Sequence, residues 1–131
     1  MLRGLSLPLH KELQVPDQNV DVTFDRTSTP NFAFDCDAVR MTAAGKVILH
    51  KMPPNAPWEF TGGRMADDPL EQFTFAVRGK QLHINDECKD RKEDGPKSYC
   101  YMVTVKDNVG LVESPDPVIV NDPGARLEEQ S

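Results

Sequence analysis

The sequence predicts an all-β protein built as a β-sandwich of about seven or eight antiparallel strands. Three observations carry this. Apolar residues recur at every second position in short runs and never settle into a helical period. Turn-forming residues interrupt those runs about every 8–12 residues. Eleven prolines are spread over 131 residues, and a proline inside a helix removes a hydrogen bond and clashes with the preceding turn.

The elements follow in order. "NVDVTFD" places Val20, Val22 and Phe24 on one face, with Asp21 and Thr23 on the other. "NFAFDC" aligns Phe32, Phe34 and Cys36, and "AVRM" aligns Val39 and Met41. "GKVILHKM" is apolar on both faces, which suits a central strand. "EQFTFAVRG" aligns Phe73, Phe75 and Val77, and "QLHIND" aligns Leu82 and Ile84. Gly79-Lys80 between these two runs reads as a tight hairpin turn. "SYCYMVTVKD" aligns Tyr99, Tyr101, Val103 and Val105, and Asp107 to Gly110 supplies the next turn. Three stretches read as loops: "KMPPNAPW", "TGGRMADDPLE" with room for a short helical turn, and "DECKDRKEDGPKS".

The last strand lies in "SPDPVIVNDP". Pro115 and Pro117 carry no N–H, so pairing is expected to wait until Val118. Val118 and Val120 are expected to face the core, with Ile119 on the other face and the strand at a sheet edge. The chain divides into a loosely ordered segment 1–17, a sandwich domain 18–123 and a flexible tail 124–131. A small closed barrel is the alternative architecture.

Bulk properties exclude several functions. With 38% hydrophobic and 27% charged residues, the chain is not disordered by composition. Its net charge of −6 disfavours nucleic acid, whose phosphates require a basic surface, and disfavours anionic membranes. The start, "MLRGLSLPLHKELQVPD", has its apolar run broken at Pro8 and His10, unlike an export signal. A cytoplasmic protein is expected. Cys36, Cys88 and Cys100 contain no Cys-x-x-Cys pair, so reduced thiols are expected rather than a zinc ribbon or redox pair.

From Phe73 to Asp122, the order "FTFAVRG", "QLHIND", polar loop, "YCYMVTVKD", "DPVIVND" resembles the second half of an immunoglobulin-like or fibronectin-like sandwich. Asp116-Pro117 and Asp122-Pro123 also resemble the ending of the bacterial DP-EP family, although no Glu-Pro pair occurs. That family brings no activity to carry over. The immunoglobulin-like resemblance would pair Cys36 with Cys100, but strand parity opposes it. Cys36 shares a face with Phe32 and Phe34, whereas Cys100 lies opposite Tyr101, Val103 and Val105.

Candidate chemistry is sparse. His50 and His83 lie on strands that could be neighbours, and His10 lies far from both in sequence. A two-histidine metal site competes here with plain surface histidines, and no ligand spacing supports metal. No Gly-x-Ser-x-Gly elbow occurs, and Gly62-Gly63 is not followed by the Gly-Lys-Ser/Thr of a phosphate loop. Paired acids such as Asp35 with Asp37 and Asp67 with Asp68 read as solvated loops; together with Asp86-Glu87, Glu93-Asp94 and Asn121-Asp122 they are the acidic clusters from which a calcium site could draw its oxygens. The "VIVND" strand end is similar to the calcium junctions of cadherin-like sandwiches, which makes Asn121 and Asp122 the metal candidates. Trp58 and Phe60, after a proline-rich loop, are the candidate anchors for a partner, with a place in the core as their alternative role.

The expected function is a non-catalytic module without a cofactor. It binds a protein partner, or itself, through end loops or an edge strand. A calcium- or zinc-dependent module and a small enzyme with a site assembled only in space are the alternatives.

Overall fold

The computed structural model describes residues 16–124. The expected loose segment and tail lie outside these residues, except at Pro16, Asp17 and Gly124. Ten strands form two sheets: β1 (Gln18–Phe24), β2 (Phe32–Phe34), β3 (Ala38–Met41), β4 (Gly45–Lys51), β5 (Glu59–Met65), β6 (Phe73–Arg78), β7 (Gln81–Asp86), β8 (Lys97–Lys106), β9 (Leu111–Glu113) and β10 (Val118–Asn121). One sheet runs β2-β1-β4-β7-β6; the other runs β3-β10-β8-β5, with β9 paired to β8. The protein is therefore an all-β sandwich, and its sheets do not close into a barrel.

Six of the eight strand pairs are antiparallel; β1–β4 and β3–β10 are parallel. Parity alone cannot distinguish these directions, because side chains alternate identically in both. β4 is central, as its two apolar faces require. The Gly79-Lys80 hairpin joins β6 to β7, with Gly79 at φ +61, a conformation glycine adopts without steric cost.

Two strands exceed the expected set. β9 completes the hairpin after Asp107 to Gly110. β5 occupies much of the expected "TGGRMADDPLE" loop and pairs with β8 from Glu59↔Lys106 to Met65↔Tyr101. Its Gly63 has a packing role. A Cβ there would lie 2.7 Å from the Met102 carbonyl oxygen and 2.8 Å from the Phe75 ring of β6. The missing side chain lets the two sheets meet closely at this margin.

The core lies between the sheets. Val20, Val22, Val47, Leu49, Leu82 and Ile84 face Met41, Tyr101, Val103, Val105 and Ile119, all nearly inaccessible to water. Fully burying one such aliphatic side chain contributes about 1.5–3 kcal/mol. Cys36 packs against this core, and Cys36, Cys88 and Cys100 are all free thiols.

The "SPDPVIVNDP" stretch differs from expectation in two ways. β10 is internal, lying between β3 and β8 rather than at an edge. Its parity is also inverted: Ile119 and Asn121 are buried, while Val118 and Val120 are partly exposed. The cause is a one-residue insertion. β9 and β10 pair with successive parts of the same β8 edge. From Thr104 to Cys100 is four steps along β8, whereas Glu113 to Val118 takes five. The extra residue lies in Ser114-Pro115-Asp116-Pro117, where the prolines offer no amide to the ladder. Such a bulge sends every later side chain to the opposite face. Ser114 holds the break closed: its amide donates to the Val103 carbonyl at 2.8 Å, and its Oγ accepts the Val103 amide at 2.9 Å.

Candidate functional site

Two features stand out, a buried polar cluster and an apolar groove. The cluster forms where β7 and β10 end and where β6 and β8 begin. Continuing the inward series Leu82, Ile84 places Asp86 in the core at the end of β7. The shifted register does the same for Asn121 on β10, and Gln72 lies just before β6. All three are fully buried.

Their contacts form one network. Asn121 Nδ2 donates to Gln72 Oε1 at 3.2 Å, Asp86 Oδ1 at 3.1 Å and Asp90 Oδ2 at 3.1 Å. Gln72 Nε2 donates to Asp90 Oδ2 at 3.0 Å, and Gln72 Oε1 accepts the Lys89 amide at 2.7 Å. The Tyr99 hydroxyl donates to Asp90 Oδ1. The Cys88 amide donates to Asp86 Oδ1 at 2.8 Å. Asp68 supports the entry to β6 by accepting the amides of Gln72 at 3.0 Å and Phe73 at 3.1 Å.

Every donor to these carboxylates is neutral, so burial governs their electrostatics. Loss of hydration pushes Asp86 up to about 6, opposed by the Cys88 amide and the Asn121 side chain. Burial, reinforced by Asp86 and Asp90, pushes the Cys88 thiol up to about 12. A reactive cysteine needs the opposite shift, toward thiolate. Burial first, then the bond to Asp90, raises the Tyr99 hydroxyl, so it remains a donor.

The two sequence-predicted metal candidates separate here. Asn121 enters the cluster, but the Asp122 carboxylate turns away to pair with Arg40 at 2.7 Å. His50 and His83 do lie on neighbouring strands β4 and β7. Gln81 stands between them, accepting from His83 Nε2 at 2.8 Å and donating to His50 Nδ1 at 3.4 Å. His50 Nε2 donates to Asn19 Oδ1 at 2.8 Å. His10 lies outside the described residues. Among the described residues, no group of three His, Cys, Asp or Glu side chains converges as metal ligands do.

Trp58 and Phe60 are buried, at 3% and 4% exposure. They meet edge-on with ring centres 5.2 Å apart, and Phe24 meets Trp58 at 6.1 Å. Their placement is the core role. Trp58 nevertheless borders a cleft with Lys51, Glu59 and Lys106, and its indole N–H has no partner among the described residues.

The groove lies at the margin where β2 ends one sheet and β3 ends the other. It has a volume of about 570 Å³. Pro30, Phe32 and Phe34 line one part, and Pro115, Pro117 and Val118 line another. Its charged residues are Asp37 and Asp116. Thus the bulge that resets β10 also shapes this groove. Sequence reasoning identified the prolines as strand punctuation but missed that role, because the groove exists only where three distant segments meet.

These features define a two-sheet β-sandwich domain with an open, apolar margin and a polar cluster buried at one end. The chain belongs to the DP-EP family, whose model matches residues 9–123. No curated protein matches it in sequence. Among the described residues, no helix is long and apolar enough to cross a membrane.

Proposed function

We propose that this chain is a non-catalytic binding module that takes up an extended protein segment along its open margin. The observation that carries this reading is the apolar groove between β2 and the β3–β10 margin. An edge strand offers unpaired amides and carbonyls to an incoming strand, and adjacent pockets select its side chains. Phe32 and Phe34 supply aromatic surface, while Asp37 and Asp116 favour a segment carrying Lys or Arg.

The same charges favour a foreign partner over a second copy, since the chain itself carries net charge −6. On this reading the sandwich is an immunoglobulin-like one that works in the cytoplasm. Two sheets with internal apolar alternation support the first point. Three free thiols support the second.

The test is selection of displayed peptides on the intact protein, followed by binding to Phe34→Lys and to a Trp58→Phe control. Selected peptides should be extended and basic, should protect the β2 amides from exchange, and should lose affinity only for Phe34→Lys. Equal binding to the Phe34→Lys protein refutes the groove as the site. Sedimentation as a dimer at micromolar concentration, abolished by Phe34→Lys, would replace the foreign partner with self-association.

A further inference from the structure

We propose that the polar cluster of Asp86, Asp90 and Asn121 binds a hard cation, calcium by its donor chemistry, at the end of the sandwich where β7 and β10 terminate. The first observation is an imbalance of donors and acceptors. Two hydrogens on Asn121 Nδ2 face three acceptors, on Gln72, Asp86 and Asp90. No Lys, Arg or His side chain donates to Asp86 or Asp90 among the described residues. The nearby cations are engaged elsewhere: Lys89 Nζ with the Leu70 carbonyl and Glu87, Arg91 with Glu93 and Asp94, and Arg40 with Asp122.

The second observation is independent of the acids as a group. Asp86 Oδ2 and Asn121 Oδ1 are buried and accept no hydrogen bond from any described residue. A buried acceptor left unpaired is destabilising, more so when charged, so each points to a missing partner. The two orphans belong to side chains that are hydrogen-bonded to each other. Asp86 Oδ1 and Asn121 Nδ2 are 3.1 Å apart, and each orphan oxygen shares a carbon with one of those atoms.

The donor set selects the ion. Carboxylate and amide oxygens suit calcium, which accepts irregular shells completed by water. Softer metals prefer His and Cys ligands, and the side chains that meet in this cluster offer oxygens. Asp86 Oδ2, Asn121 Oδ1 and the Asp90 carboxylate are the assigned ligands. Tyr99, through its bond to Asp90, is a positioning residue.

The test uses the intact chain stripped with EDTA at neutral pH. Calcium should raise the thermal midpoint saturably, by at least about 3 °C. Magnesium, which requires a nearly octahedral shell, should raise it less. Terbium, a calcium substitute, should emit when excited through Tyr99. Asp90→Asn preserves the shape of the cluster and should abolish both responses, while Tyr99→Phe should dim the emission. The groove variant Phe34→Lys should retain both, which separates this proposal from the peptide-binding reading. No midpoint shift in millimolar calcium overturns the proposal. So does a shift that survives both Asp86→Asn and Asp90→Asn, because it would arise from surface acids.

Discussion

Asp86→Asn is the most informative single change. It preserves the side-chain shape and an acceptor for the Cys88 amide, but removes a buried charge. Folding raises the Asp86 carboxyl from 3.8 to about 6. The folded protein therefore holds this proton more tightly than the unfolded chain. The resulting stabilisation is fully present below about pH 4 and is lost as pH rises through about 6. That displacement corresponds to about 3 kcal/mol. Asp25, Asp107 and Glu113, whose carboxyls are lowered by hydrogen bonds, act in the opposite sense. They are common to both proteins and cancel on comparison. Thermal unfolding of wild type and Asp86→Asn should be measured in chelator from about pH 4 to about pH 7. The variant should gain about 10 °C on the wild type across that range. A gap between the two midpoints that stays constant with pH would refute the assignment of this cost to Asp86.

Other changes probe the remaining structure. Gly63→Ala should destabilise by about 1–3 kcal/mol in urea unfolding, because the new methyl group meets the Met102 carbonyl and the Phe75 ring. An unchanged midpoint would show that the sheets do not meet closely there. Asn121→Ala leaves the Gln72, Asp86 and Asp90 oxygens without their shared donor and should cost about 2–4 kcal/mol at neutral pH. Stability equal to wild type would mean the network contributes nothing. Thiol titration after denaturation without reductant should count three free cysteines. In the native protein at about pH 8 Cys88 should react slowest, since its thiol is pushed up to about 12. Fast labelling of Cys88 would contradict that burial.

The strands that define the core were legible because each alternates cleanly. Val20 and Val22, Leu82 and Ile84, and Tyr101, Val103 and Val105 all lie inside as their spacing requires. β5 was hidden because Gly62-Gly63 reads as a loop, whereas Gly63 is needed for close approach within a strand. Parallel pairing of β1 with β4 was invisible because it joins segments separated by two other strands. Within the polar cluster, Asp86 was within reach: extending the Leu82, Ile84 series by two residues leads to it. Beside Glu87, however, Asp86 reads as one of several acidic clusters, with nothing to single it out as buried. Asn121 was named as a candidate, but its burial depends on the bulge. A run of Val-Ile-Val offers no polar contrast to set the phase of the strand. Gln72 and Asp90 belong to loops whose convergence is purely tertiary.

The bulge before β10 means that hydrophobicity alone does not choose the register of the last strand. Val118 and Val120 could line the core about as well as Ile119 does. Slipping the strand by one residue would exchange one apolar set for another at little cost in buried hydrocarbon. What such a slip would lose is Asn121, carried out to solvent and away from Gln72, Asp86 and Asp90. That amide thus helps to fix a phase that the hydrocarbon alone leaves weakly specified. In this strand the oily residues provide cohesion, and the polar one supplies the address.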